Sequence, residues 1–118
     1  MRKDFKELLV WQYAHQMTLE VYRITRRFPQ EERFGLSDQL RRAAVSVESN
    51  IAEGSARSSS KDFLHFLYIA RGSLSEVEVQ LLIAKDLNYI SEDEFQQVEE
   101  PRLSSIKLLQ LLIKKISG

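Results

Sequence analysis

Phe63-Leu64-His65-Phe66-Leu67-Tyr68-Ile69-Ala70-Arg71-Gly72-Ser73-Leu74-Ser75-Glu76-Val77-Glu78-Val79-Gln80-Leu81-Leu82-Ile83-Ala84 is the stretch that decides the fold. Phe63, Leu67, Ala70, Leu74, Val77, Leu81 and Ala84 recur at alternating steps of four and three without a miss. Residues so spaced share one side of a helix. The alternation itself is that of helices packed left-handedly in bundles. A long helix beginning near Ser60 is predicted. Phe66 and Ile69 add a second apolar flank. This helix therefore has more apolar surface than a single partner covers, and it is predicted to be the most buried in the chain.

Upstream, a second helix is predicted over Leu36 to Glu53. Leu36, Leu40, Ala44, Val47 and Ile51 make its apolar stripe. Gly54 stands where a left-handed C-terminal cap is expected, and Ser55 to Ser59 make a short linker rich in capping residues. The first helix is predicted from about Phe5 to Phe28, with Trp11, Ala14, Met17, Val21 and Ile24 at helical steps. Pro29 stops it, because proline disfavours helix in the residue before it and cannot continue the ladder. Downstream, Asn88-Tyr89-Ile90 breaks the pattern. Ser91-Glu92-Asp93-Glu94 reads as a capping box with Ser91 as N-cap and Glu94 reaching back. Phe95, Val98, Arg102, Ile106, Leu109, Leu112, Ile113 and Ile116 continue as a fourth helix. Pro101 lies inside it and either kinks it or splits it into two. No segment alternates as a strand. Long helices joined by short loops are antiparallel neighbours, so the predicted fold is all-α: an antiparallel up-down-up-down four-helix bundle.

A chain of 118 residues is expected to form one domain over residues 1–118. Lys+Arg and Asp+Glu both number 17, so the formal net charge is zero. A strong, global nucleic-acid footprint normally needs a basic excess. Any nucleic-acid binding is accordingly expected to be weak and salt-sensitive. Cysteine is absent, which excludes disulfides, thiolate metal sites and a thiol nucleophile. The start, Met1-Arg2-Lys3-Asp4-Phe5-Lys6-Glu7, is charged and amphipathic rather than a signal peptide. No run approaches the roughly 20 apolar residues of a membrane span. A cytoplasmic protein without membrane contact is expected.

The candidate site residues lie mainly on the second helix. Arg42, Ser46, Asn50 and Glu53 share one face, at steps of three and four. Beside them stand the small residues Ala43, Ala44 and Ala52, which let another helix come close. A solvated face usually carries longer Lys and Glu, so the stripe reads as a polar seam that packs against something, and a subunit interface of a homo-oligomer is one place for it. One reading is a hydrogen-bonded ligand site. The other is capping and packing, with Arg42 or Arg71 neutralising a buried Glu53.

Other chemistry is thinner. The nearest approach to a carboxylate-bridged metal motif is Asp62-Phe63-Leu64-His65, once only, and His15 lacks a carboxylate at that spacing. No Gly-x-Ser-x-Gly elbow exists. Gly54 to Lys61 is only superficially a phosphate loop, since the second glycine and the preceding strand are missing. No catalytic residue, metal, cofactor or small-molecule substrate is predicted. Arg23, Arg26, Arg27, Arg33, Arg41 and Arg42 cluster in the first half, and Glu92-Asp93-Glu94 with Glu99-Glu100 in the second. Arg23, Arg26, Arg27 and Arg41 are candidate nucleic-acid contacts. The alternative is solvated faces, or complementary charge between neighbouring subunits of a homo-oligomer.

Several motifs carry a resemblance. They are Val10-Trp11 with Ala14, Phe28-Pro29, Glu32, Gly35-Leu36, Gln39-Leu40, Arg42-Ala43, Ser46, Asn50-Ile51-Ala52-Glu53-Gly54, Phe63, Leu67, Ala70-Arg71-Gly72-Ser73 and Glu76. In these residues the chain resembles the 23S rRNA intervening-sequence proteins, a four-helix-bundle family related to the accessory variability protein of diversity-generating retroelements. The resemblance implies an all-helical bundle, a ring-shaped homopentamer and no established enzymatic activity. The retroelement relatives imply binding of nucleic acid and a reverse transcriptase through basic surfaces. Zero net charge departs from that pattern. So does Glu48, where the family often has proline, and so does Pro101 in the last helix.

Overall fold

The computed structural model describes residues 4–118. Met1, Arg2 and Lys3 of the charged start lie outside the described residues. The expected first helix is divided. Asp4 accepts the Lys6 amide at 2.9 Å and caps a 3-10 turn over Phe5–Glu7. Leu8 is extended, and α1 runs over Leu9–Thr25. It ends three residues before Phe28. The Thr25 hydroxyl donates to the carbonyl of Val21 at 2.7 Å and lies 3.2 Å from that of Tyr22, the local competition by which threonine bends and ends helices. A second 3-10 turn, Gln30–Glu32, leads to α2 over Leu36–Ser55. Gly35 offers no capping side chain, and the Glu32 carboxylate accepts the Leu36 amide instead, at 3.1 Å. α3 covers Ser60–Asp86, with the Ser59 hydroxyl accepting the Asp62 amide at 3.1 Å.

The turn into the last helix rests on Asn88, with φ 63°, the left-handed region that asparagine tolerates better than most residues. α4 covers Glu92–Ser117. Its capping box is reciprocal: the Ser91 hydroxyl accepts the Glu94 amide at 3.1 Å, and the Glu94 carboxylate accepts the Ser91 amide at 2.9 Å. α4 runs unbroken through Pro101, so the last element is one helix rather than two.

Each helix touches its neighbours in sequence, and α1 also touches α4. The diagonal pairs α1·α3 and α2·α4 make no close backbone approach. That closed ring of neighbours is the up-down-up-down bundle. Its long axis of 45 Å suits α3, whose 27 residues span about 40 Å. All seven residues of the predicted α3 repeat are buried in the shared core, with Ala14, Met17, Val21 and Ile24 of α1, Leu40, Ala44, Val47 and Ile51 of α2, and Val98 and Leu109 of α4. The buried Thr18 hydroxyl donates to the carbonyl of Ala14 at 3.0 Å and reaches that of Ala44 at 3.2 Å, a contact the small Ala44 side chain permits between α1 and α2.

Two expectations are corrected. α3 is not the most buried helix. Seven of the 17 residues of α1 are buried against eight of the 27 of α3. Of the second flank, Ile69 is exposed and Phe66 is half-buried against Gly54, and Tyr68, Val79, Leu82 and Ile83 are exposed as well. Gly54 is not a left-handed cap either, since α2 continues through Ser55 and no described glycine has positive φ. Its role is steric. A Cβ there would stand 2.9 Å from Phe63 Cδ1, 2.9 Å from Phe66 Cβ and 3.3 Å from the Phe63 carbonyl oxygen. The Phe63 ring can swing, but Phe66 Cβ moves only with the α3 backbone. Gly54→Ala is expected to destabilise by about 1–3 kcal/mol through overpacking, despite the better helix propensity of alanine. A denaturant midpoint equal to or above that of the parent would show that α2 and α3 separate freely here.

Candidate functional site

The middle of the polar stripe of α2, Ser46 and Asn50, faces α3. Ser46 Oγ and Ser73 Oγ hydrogen-bond at 2.9 Å, and the Asn50 amide donates to the Ser46 carbonyl at 2.8 Å and to its hydroxyl at 3.1 Å. The seam floors a concavity of about 360 Å³ lined by Gln39, Arg42, Ala43, Ser46, Ser73, Glu76 and Gln80. Within it, Gln80 Oε1 is buried without a hydrogen-bond partner. Leaving a buried acceptor unpaired costs about 1–3 kcal/mol, so this atom is poised for a donor. Both serine hydroxyls are engaged with each other and with Asn50 rather than with a base.

Only part of the predicted site is brought together. Ser46 and Asn50 form the seam. Arg42 stands at its rim, pointing outward to Asp38 at 2.8 Å. Glu53 is exposed rather than buried, and it pairs with Arg57 at 3.3 Å, not with Arg42 or Arg71. Arg71 lies over the Tyr68 ring, 4.9 Å from its centroid. Ser73, Gln80 and Gln39 were missed. Pairing them with α2 needed the register of α3 against α2, which spacing along one chain does not carry.

The arginines of the first half divide in two. Arg23 donates to Glu20 at 2.8 Å and to the Gln97 side chain, and Arg27 pairs with Glu94. Charge expected to face nucleic acid or a neighbouring subunit is thus used within the chain, between α1 and α4. Arg26 and Arg41 instead line a pocket between the end of α1 and the start of α2.

Two further clusters escaped the sequence. Arg102, read as part of the apolar stripe, is indeed buried there, at 5% exposure. It is held by Glu99, with Nε to Oε1 at 2.6 Å and Nη2 to Oε2 at 2.8 Å, and by Glu78 of α3 at 3.1 Å. The Glu99 hydrogen bonds raise the guanidinium pKa further, against the desolvation that opposes its charge. A Glu three residues before a core-position Arg was the signal that could have found it. On the other side, His15 Nδ1 meets Glu48 Oε2 at 2.8 Å while its ring stacks on Trp11, with centroids 4.9 Å apart. Glu48, a departure from the resembled family, thus joins α2 to α1. His65 lies edge-on to Phe66, and no metal-holding group of three or more His, Cys, Asp or Glu exists among the described residues.

The Tyr89 hydroxyl donates to Glu32 Oε2 at 3.0 Å. That hydrogen bond, then burial, then the negative charge of Glu32 and Glu31, push the phenol above its ordinary pKa of 10.0. Folding thus favours the protonated phenol. The contribution is complete below the ordinary tyrosine pKa and lost as pH rises through the raised one. An absorbance titration should show one of the four tyrosines ionising late. Tyr89→Phe should remove that late component, and a titration unchanged by it would refute the assignment.

No helix of the described residues is long and apolar enough to cross a membrane. No curated protein matches this chain. Among solved structures, the chain is similar to a protein of unknown function from the S23 ribosomal protein family of Bacteroides thetaiotaomicron. The two share 24% identity with a TM-score of 0.82, over 90% of this chain and 99% of that one. The likeness is one of fold, and it agrees with the bundle described here. The model of the 23S rRNA-intervening sequence protein matches residues 6–110, and the chain belongs to that family.

Proposed function

We infer that this protein is a non-enzymatic, cytoplasmic subunit of a homo-oligomer, which its family resemblance makes a pentamer. One observation carries the reading. Glu76, Val79, Gln80 and Ile83 follow at helical steps on one face of α3, and Leu87 stands just past its end. Val79, Ile83 and Leu87 are 55%, 43% and 51% exposed, while Glu76 and Gln80 line the seam concavity. Apolar side chains and an unpaired buried acceptor are thus continuous. A second copy laid on this face would cover these apolar side chains. Ring closure requires a head-to-tail contact, so a different patch of the neighbour meets this one. A stable contact of this kind buries about 800 Å² per partner, and the chain exposes 7123 Å² in all.

Light scattering at micromolar concentration tests the reading. A mass of five 13.8 kDa chains is expected. Val79→Glu with Ile83→Glu should reduce it to one chain at unchanged helical content, because a charge buried without a partner opposes assembly. A single-chain mass for the parent would refute assembly, and a dimer or tetramer would refute the number five. The nucleic-acid accessory role has less support, because Arg23 and Arg27 are occupied by α4.

A further inference from the structure

The corner where α1 ends and α2 begins holds a pocket of about 300 Å³, lined by Thr25, Arg26, Phe28, Pro29, Gln30, Arg33, Ser37 and Arg41. Three of these residues are arginines, and none of the three is in an ion pair with a described carboxylate. No Asp or Glu lines the pocket. The nearby acids are directed elsewhere: Asp38 to Arg42, and Glu32 to the Leu36 amide and the Tyr89 hydroxyl. None of the three guanidiniums is ion-paired, so they make a local positive field around one small pocket, with the Glu32 carboxylate held nearby on the Leu36 amide at the start of α2.

Arg41 is pre-organised. Its Nε donates to the Thr25 hydroxyl at 2.7 Å, and its guanidinium lies 4.6 Å from the Tyr22 ring centroid. These two contacts restrain the plane of the fork, and Arg41 lines the pocket. Ser37, 7% exposed, adds its hydroxyl to the pocket lining. It also sits in the first turn of α2, where free backbone amides and the helix dipole favour negative charge.

We propose that the Arg26, Arg33, Arg41 and Ser37 pocket binds a terminal phosphate group, free or carried on a small phosphorylated ligand. Three guanidiniums and a hydroxyl match the several oxygens and the double charge of a phosphate better than a carboxylate, which one arginine fork satisfies. The volume lies at the small end of ligand pockets, suiting phosphate or pyrophosphate with little attached. The site is separate from the α2–α3 face inferred to assemble, so it stands or falls independently of that assembly.

The test is a titration of the full chain with inorganic phosphate and with pyrophosphate, followed by amide NMR shifts and calorimetry. Acetate at matched ionic strength is the control, and mixed-sequence single-stranded RNA is a separate arm. Saturable binding is expected, with the Ser37 and Asp38 amides among the largest shifts. Arg26→Gln, Arg33→Gln and Arg41→Gln should each weaken it roughly tenfold or more, as charge-assisted hydrogen bonds are lost. Ser37→Ala should weaken it less, and Lys107→Gln, an exposed charge on α4, should leave it unchanged. These arginines are not in the hydrophobic core, so the variants should keep the parent's helical content. The proposal is overturned by absent saturation with both phosphate and pyrophosphate. Equal shifts with acetate, or an equal loss in Lys107→Gln, would also overturn it. RNA binding that needs the three arginines while free phosphate and pyrophosphate do not bind would replace it with a nucleic-acid backbone contact.

Discussion

Arg102→Met is expected to lower stability by about 3–5 kcal/mol at neutral pH, because it leaves the Glu99 carboxylate buried without its guanidinium. Glu99 is 9% exposed, and Arg102 holds both of its oxygens. Methionine fills much of the arginine stem's space, so the loss reads charge rather than volume. Arg102→Met combined with Glu99→Leu should recover most of the loss, since an apolar pair can replace a buried ion pair. Glu78→Gln should cost under about 1 kcal/mol, because the Glu78 side chain is 47% exposed. Urea midpoints measured at one protein concentration check all of these. A double variant as unstable as the single one would show that the damage is packing, not charge.

Leu74→Ala is the second large effect, at about 2–5 kcal/mol. Leu74 is fully buried at the middle of α3, where the unbroken apolar repeat faces the core. Truncation removes the transfer energy of three carbons and leaves a cavity that a close-packed bundle fills only in part. Leu103→Ala is the comparison, since Leu103 is 51% exposed and its truncation should change stability by no more than about 0.5 kcal/mol. Equal midpoints for Leu74→Ala and the parent would remove Leu74 from the core.

The helices were legible in the sequence because their determinants are local. The steps of four and three in Phe63 to Ala84 place each side chain on one face whatever surrounds it, and all seven are buried. The reciprocal Ser91–Glu94 cap lies within four residues and needs nothing else. Ser46 and Asn50 were legible as a polar seam for the same reason. What faces that seam was not, because Ser73 and Gln80 come from α3 at a register set only when Ala43 and Gly54 let the two helices close. The same limit separated His15 from Glu48, 33 residues apart, and Arg102 from Glu78, 24 apart. It also hid that Arg27 is used by Glu94 while Arg26, Arg33 and Arg41 converge on one pocket. Periodicity along a chain fixes which side of a helix a residue occupies. Only packing fixes which residue of another helix it meets, and hydrogen bonds and ion pairs act over a few ångströms, so their partners belong to the tertiary structure alone.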